Sequence, residues 1–513
     1  MPTRSFPRLA HGPVLHATLS QAGCPPGSTS VAAGDLTQSV LNSAGNGATL
    51  CLGDGVHRLS SSIAPLTNQR LVAQHSRLAV VSGTVLYTSG DFTLSGGLWF
   101  IGGQTQAGTR YTTGSGIGDE LGYPEQVFYD DIPLLQVANK IDLSAGEFWF
   151  DYTNNEIWVF DNPSGHKIEI GAGSENAFDT TNDGVILEGL VIEKFNTPAG
   201  GSTACPLGAD WRGSDLEVRL NYGGGTFAGD NSILEFSEVH DNRYIGTMGQ
   251  GVDALLDTVE VYNNAWGSFN TNWESSGSKF VHTLRLTLNN CNYHDNRGAG
   301  FWTDIDNVYV TISGGTYSSN GRTDVIYGVS PYGNSGYGIV LEISFDTLVQ
   351  NVIAEDNNGP GITSANTRGV TVTGCTARNN GATIGAGPGN IFALSANRGN
   401  SGATSGGPPY QQAIAALYGD NPLRCVRDYY VHDNTIGLCN GTLNVCGIES
   451  LSGDPSDPAV FQSTFNNRWE GNDYEFADSL TRYEWQDVSR TGVQWASGTF
   501  TWQAMDATGS WTP

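Results

Sequence analysis

Long apolar runs are missing from this 513-residue chain, and none approaches the roughly 18 residues that a membrane-spanning helix needs. A membrane protein is therefore not expected. Basic residues are scarce as well. Lys and Arg number 24 against 51 Asp and Glu, a net charge of −27, which argues against nucleic acid or an anionic membrane surface as partner and favours a neutral or weakly charged ligand. Charge of either sign is low, at 15% of residues, whereas 68 Gly, 12 Trp and 20 Tyr give the profile of an extracellular β-rich protein with aromatic rings able to stack on sugars. Residues 1 to 7 (Met-Pro-Thr-Arg-Ser-Phe-Pro) lack the apolar core of a secretory signal. Either a signal has been removed ahead of them or the protein is not exported by that route; secretion remains the expectation.

Hairpin signals are also missing from 230 to 380, which excludes an antiparallel sandwich or propeller there. A period takes their place. Segments end at Asn242, Asn264, Asn296, Asn320, Asn357 and Asn380, spaced by 22, 32, 24, 37 and 23 residues, so the two long spacings read as one coil plus an inserted loop. The residue three before each Asn (Val239, Val261, Tyr293, Tyr317, Ala354, Ala377) marks an inward slot, because strand side chains alternate faces. The Asn positions themselves suit a repeating left-handed bend. This pattern predicts an all-β chain folded as a right-handed parallel β-helix, a solenoid in which each coil gives short strands to parallel sheets.

Around that core the chain divides into five stretches. Residues 1–30 are an extended lead-in. Residues 31–103 hold a helix with Leu36, Val40, Leu41 and Ala44 on one face, N-capped by Asp35 and ended by Gly45, which covers the open end of the first coils. In 104–170 the rhythm breaks into an antiparallel β insertion, with a hairpin at Thr153 to Asn155. The main β-helix occupies 171–475, with a Gly/Pro-rich loop at 398 to 409 and further coils at Asn434 and Asn472. An aromatic cap with Trp485, Trp495, Trp502 and Trp511 closes 476–513.

Eight cysteines bear on the compartment. Cys24 and Cys51 flank the cap helix, and Cys425, Cys439 and Cys446 cluster late; both groups read as disulfide material of an oxidising compartment, with buried free thiols as the alternative. Cys291 and Cys375 share one slot several coils apart and read as core thiols. The sequon at Asn440 to Thr442 permits glycosylation.

The chemistry is concentrated between Gly300 and Asp346. Gly-Phe-Trp-Thr-Asp at 300 to 304 and Gly-Ile-Val-Leu-Glu at 338 to 342 put Asp304 and Glu342 in one slot of successive coils, roughly 5 Å apart by strand spacing. Retaining glycosidases hold their two carboxyl groups about 5 to 5.5 Å apart, one ionised to attack the anomeric carbon and one protonated to serve the leaving oxygen. Like charges that close oppose double ionisation, which favours such a division of labour over a pair of solvated acids.

Asn272-Trp-Glu-Ser-Ser-Gly-Ser-Lys-Phe280, Phe301-Trp-Thr-Asp-Ile-Asp-Asn307 and Glu342-Ile-Ser-Phe-Asp346 resemble a large group of secreted bacterial β-helix proteins carrying Trp/Phe-Glu-x-Gly-Gly-Thr-Lys-Phe, Leu-Trp-Thr-Asp-Ile-Asp-Asn and Glu-Ile-Ser-Tyr. The segment from Cys24 to Arg58 resembles their N-terminal region too. More distantly, the coils of Asp304 and Glu342 resemble the β-helix β-xylosidases of glycoside hydrolase family 120. That resemblance implies Asp304 as nucleophile and Glu342 as acid/base. The chain departs from the pattern at Ser275-Ser276, where Gly or Ala is usual, and in an insertion at 321 to 337 between the two coils, which bears on the substrate.

The expected activity is hydrolysis of a neutral poly- or oligosaccharide with retention, by a secreted glycosidase whose catalytic coils span 265–360. Glu274 and Lys279 are candidates to bind sugar hydroxyls or tune the pair, and equally to form an ion pair across a loop. Trp302 and Trp273 could stack on sugar or pack under a loop. Asp306 could hydrogen-bond substrate, and Asn307 likewise, although an Asn in a turn needs no such role. His240 and His294 occupy the repeated turn slot and read as structural. No metal or cofactor is expected for hydrolysis. Under an alternative reading as polysaccharide lyase or uronate epimerase, Lys279 would be the base and Asp304, Asp306 and Glu342 would hold Ca²⁺. A third reading is a non-catalytic glycan-binding or adhesive β-helix.

Overall fold

The computed structural model describes residues 23–108, 110–111, 122–327, 329, 335–381, 389–395, 409–419, 425–439, 445–450, 465–476, 481–485, 488–497 and 506–511. Most of the lead-in, the sequon, Trp502 and nearly all of the loop at 398 to 409 lie outside the described residues.

Short strands stack in parallel, coil on coil, into a right-handed parallel β-helix. From Thr203 to Tyr474 each coil gives one strand to each of three faces. In one coil these are Phe301–Asp304, Val308–Ser313 and Thr316–Ser318; the next supplies Ile339–Glu342, Phe345–Gln350 and Ile353–Glu355, paired to them strand by strand. We call these the first, second and third faces. The third is a continuous 13-stranded sheet, while the first two join round a corner into one of 24 strands. The inward slot expected from the repeat is real: Val239, Val261, Tyr293, Tyr317, Ala354 and Ala377 lie in register and are fully buried. Tyr293 and Tyr317 stack there at 5.5 Å between ring centres.

The repeating Asn works differently from the expectation. Positive φ belongs to the residue before it (Asp241, Asn263, Asp295, Ser319, Asp356, Asn379), while the Asn is buried and spends its side chain on hydrogen bonds. Asn264, for example, donates Nδ2 to Val239 O (2.8 Å), and its Oδ1 accepts from the backbone N–H and the Nδ2 of Asn242 at 3.1 and 3.0 Å. The same contacts run from Asn221 through Asn242, Asn264, Asn296, Asn320, Asn357 and Asn380 to Asn390. An inward bend would leave backbone N–H groups unpaired, and the amide column satisfies them. Beside it runs a column of glycines. A Cβ at Gly246, Gly277, Gly300, Gly338 or Gly361 would come within 2.6 to 2.9 Å of the Nδ2 of its ladder Asn. A second ladder, Asn434 to Asn472, ends on Asp506, which accepts from Gly471 N, Asn472 N and Nδ2 and the Tyr474 hydroxyl; a terminal member has only to accept.

The cap helix is Gln38–Ala44, and its N-cap is Thr37, whose hydroxyl accepts from Val40 N, rather than Asp35. Leu41 is buried and Gly45, at φ 81°, ends the helix. The antiparallel insertion begins earlier than the sequence rhythm indicates: Thr84–Tyr87, Thr93–Ser95 and Leu98–Gly102 already belong to its two sheets. The hairpin at 153 to 155 joins Glu147–Asp151 to Glu156–Val159. A core of its own, with Phe148, Ile157 and Ile168, holds this unit together. At the far end Trp495 stacks on Tyr483 and Trp511 on Tyr474.

Cys24 and Cys51 form a disulfide. Cys425, Cys439 and Cys446 do not: all three are thiols buried in the β-helix core, where apolar packing accounts for them. Cys291 and Cys375 are core thiols as expected, pushed by burial up to about 12 and about 11. His240, Tyr262 and His294 stack on the outside of the third face, with ring planes 6° and 2° apart.

Candidate functional site

On the first face, Phe301, Thr303, Ile339 and Leu341 point into the core, so alternation sends Trp302, Asp304, Val340 and Glu342 outward. Phe301, Trp302 and Thr303 pair with Ile339, Val340 and Leu341. Continuing that register by one residue sets Asp304 beside Glu342, about 4.8 Å apart along the stack. One coil earlier, Ser276–Leu284 pairs Phe280 with Thr303, so Lys279 lies next to Trp302.

Lys279 Nζ pairs with Asp304 Oδ2 at 3.0 Å, with the two side chains only 11% and 13% exposed. The same ammonium donates to Trp273 O (2.7 Å) and lies 4.1 Å from the centre of the Trp302 ring. Trp302 in turn donates its indole Nε1 to Glu342 Oε2 at 3.2 Å. The two carboxylates thus differ in surroundings: Asp304 faces a cation, Glu342 a neutral donor. Asp304 Oδ1 is shielded from solvent and accepts no hydrogen bond among the described residues.

Backbone contacts fix these positions from below. Asn307 Nδ2 donates to Asp304 O (2.9 Å), and its Oδ1 accepts from the backbone N–H and the hydroxyl of Thr283. Ser344 does the same for the next coil, donating to Glu342 O at 2.8 Å. The residues that follow the carboxylates, Ile305 and Ile343, have φ of 55° and 45°. Such values cost a β-branched residue on the order of 1–3 kcal/mol, and that cost falls at the corner directly behind each carboxylate.

A cavity of about 310 Å³ opens on the C-terminal side of the pair. Trp302, Tyr337, Val340, Glu342, Thr363 and Phe392 line it, and Glu342 is its one charged side chain among the described residues. Asp304 sits one coil away, beside the cavity rather than in its lining. Thr363 pairs with Val340 on the next coil, is 4% exposed, and its Oγ1 has no hydrogen-bond partner among the described residues. On the far flank the helix Tyr410–Tyr418 packs on Leu284, Val308 and Phe345.

Of the residues singled out in the sequence, Asp304, Glu342, Lys279, Trp302 and Trp273 come together. Trp273 is 47% exposed, so it is not packed under a loop. Glu274 and Lys279 do not form the ion pair considered for them, because Lys279 turns to Asp304 and Glu274 accepts the Tyr244 hydroxyl. Asp306 has no exposed surface: it lies in the corner bend at φ 59°, its N–H on Ile343 O, which removes it from substrate contact. Asn307 is likewise buried as a support. Sequence reasoning missed Thr363, Phe392 and Tyr337. Thr363 and Phe392 fall in the Trp302 row one and two coils after Val340, so the repeat register held the signal. No group of three or more His, Cys, Asp or Glu able to hold a metal ion occurs among the described residues. Ca²⁺ does not fit the proposed cage, since Lys279 already neutralises Asp304 and Asp306 is enclosed.

No protein-family model and no curated protein sequence matches the chain. Among solved structures, the complex of XylC with xylose is 11% identical with a TM-score of 0.52, covering 87% of this chain and 83% of that one. The A-module of the Azotobacter vinelandii mannuronan C-5 epimerase AlgE6 is 12% identical with a TM-score of 0.51, covering 93% of both chains. At these identities the shared property is the fold, a parallel β-helix.

Proposed function

We propose that the protein is a secreted glycoside hydrolase that cleaves a neutral poly- or oligosaccharide with retention of anomeric configuration. The observation that carries this reading is the register: Thr303 pairs with Leu341, so Asp304 and Glu342 follow at adjacent outward positions on strands about 4.8 Å apart, the backbone spacing that allows carboxyl groups the roughly 5 to 5.5 Å of a retaining pair. Asp304 is the nucleophile. Lys279 occupies Oδ2, while Oδ1 accepts no hydrogen bond among the described residues but is enclosed, so its attack on the anomeric carbon requires the Asp304 side chain to turn toward the cavity. Glu342, lining the cavity, gives its proton to the leaving oxygen and then takes one from the water that releases the sugar. Trp302 orients Glu342 through its indole N–H. The two fold relatives are a complex with xylose and a mannuronan epimerase, which supports a carbohydrate ligand. The Cys24–Cys51 disulfide supports an oxidising, extracellular setting.

Proton abstraction from a uronate by Lys279 is the weaker reading. Its ammonium is committed to Asp304, Trp273 O and the Trp302 ring, contacts that an amine acting as base would have to give up. Aryl glycosides and neutral polysaccharides, assayed with the wild type, Asp304→Ala and Glu342→Gln, test the proposal. Loss of hydrolysis in both variants is expected; unchanged hydrolysis sinks the assignment. An unsaturated uronate product that disappears with chelator would establish a lyase, and glycan binding without turnover in any variant an adhesive protein.

A further inference from the structure

The outward row that carries Lys279 and Trp302 does not begin there. Pro206, Phe227 and Met248 precede Lys279 on successive coils, in register, each half-exposed between buried neighbours. Where Pro206 and Phe227 stand, a cavity of about 740 Å³ opens, more than twice the volume beside Glu342. Its other walls come from Ser60–Ser62 in the first coils, from 173 to 180 behind the antiparallel insertion, and from 201 to 203.

The lining specifies a ligand chemistry. Ser60, Ser61, Ser62, Ser174, Thr180 and Ser202 bring hydroxyl groups, while the Phe227 ring and Pro206 bring the apolar surface. Glu175 and Asp179 are the charged members, and no Lys, Arg or His lines the cavity among the described residues. Phosphate, sulfate and uronate are disfavoured there by charge. Acyl chains and apolar helices are disfavoured by the hydroxyls, whose burial against them would leave hydrogen bonds unmade. An uncharged ligand rich in hydroxyls but with apolar ring faces fits, and that is a neutral sugar.

Position adds the second half of the argument. Phe227 is three strand steps from Trp302, about 14 Å at 4.8 Å per step, on the same row of the same face. Only Met248 and Lys279 stand between them in the row. We infer that the Phe227 cavity is a second, distal binding site for the chain whose bond is broken at Asp304 and Glu342, so that the substrate is an extended oligomer lying along the helix axis. This rests on the proposed function for the cleavage, and on the cavity alone for the binding.

The test uses a graded series of xylo-oligosaccharides, xylan and a short aryl xyloside, with the wild type, Phe227→Ala and Ser61→Trp. The second variant fills the cavity from an exposed position, so it guards against a folding defect of the first. For the wild type kcat/KM should rise with chain length. Each variant should lose about tenfold, the equivalent of 1.4 kcal/mol, on the long substrates and stay near wild type on the aryl xyloside. Equal losses on long and short substrates, or none on either, overturn the inference. If nothing is hydrolysed, calorimetric binding of xylan separates the two claims. Binding lost in Phe227→Ala and Ser61→Trp but kept in Asp304→Ala upholds the distal site while the hydrolase reading falls; binding absent in the wild type, or kept in all variants, overturns it.

Discussion

Lys279 Nζ and Asp304 Oδ2 lie 3.0 Å apart across two adjacent coils, both nearly enclosed. Removing the cation alone leaves the nearly enclosed Asp304 carboxylate without its partner. Lys279→Met should therefore lower stability by about 3 kcal/mol, the usual cost of breaking an enclosed pair from one side, and lower kcat/KM by about 10²-fold or more. Adding Asp304→Asn should restore the denaturant midpoint but not turnover. A double variant as unstable as the single one would show that the pair is not what Lys279 stabilises.

The glycine column sets a second expectation. A Cβ at Gly300 would sit 2.7 Å from both Asn320 Nδ2 and Gly338 O, atoms that cannot swing aside. Gly300→Ala should cost about 1–3 kcal/mol by overpacking. Asn320→Ala removes the acceptor of two Asn296 donors and should cost at least about 2 kcal/mol, at 1–3 kcal/mol for each buried group left unpaired. Thermal unfolding of both variants checks this, with Gly102→Ala, whose Cβ meets nothing, as the neutral control.

A pH dependence follows from the imidazoles on the third face. Burial alone would push His240 down, but hydrogen bonds to Asp241 and Glu217 hold it up at about 9. His294, between Asp295 and Glu260 and stacked on Tyr262, is likewise held at about 9. A folded value above the unfolded one of about 6.5 means that this stabilisation is complete below pH 6.5 and drains away as pH rises through 9. On the acid side, burial would raise Glu217, but His240 and Arg219 bring it down to about 2, so its share is lost as pH falls toward that value. Urea midpoints should fall between pH 7 and 9.5, and a His240→Gln, His294→Gln protein should show a flatter alkaline limb.

Arg297 is buried and makes no ion pair within 4 Å among the described residues, its guanidinium donating to Trp266 O, Asp324 O and Val329 O. Asp324 and Val329 both belong to the insertion between the coils of Asp304 and Glu342. Arg297→Met should raise KM about tenfold with a smaller effect on kcat, because Asp324 and Val329 lose their anchor while Asp304 and Glu342 stay on their strands. Equal loss in kcat would point to general destabilisation.

The fold and the site were legible to different depths in the sequence. Spacing between Asn residues reveals the coils, and the slot shared by Asp304 and Glu342 makes them neighbours on the sequence alone. What spacing cannot reveal is how a side chain is used. Asn320 looked like a left-handed bend because Asn tolerates that conformation, yet Ser319 takes the bend and Asn320 feeds the backbone. Gly300 and Gly338 merely open their segments in the sequence, whereas the structure needs them and their column for room beside an amide. Asp306 looked accessible because acids usually are, and two successive left-handed residues, Ile305 and Asp306, turn the corner around it instead. Cys425, Cys439 and Cys446 were close in sequence, which says little about pairing inside a solenoid core.

From Asn296 to Asn320 the chain takes 24 residues and from Asn320 to Asn357 it takes 37, yet each amide meets the next at about 3 Å. Ladder geometry is thus indifferent to the length of what is spliced between its rungs. The coils behave as a rack with fixed shelving, on which walls of the groove can be exchanged, lengthened or removed one at a time while Asp304 and Glu342 keep their places. Transplanting a different segment between Gly321 and Tyr337 is accordingly the natural way to give this protein another substrate.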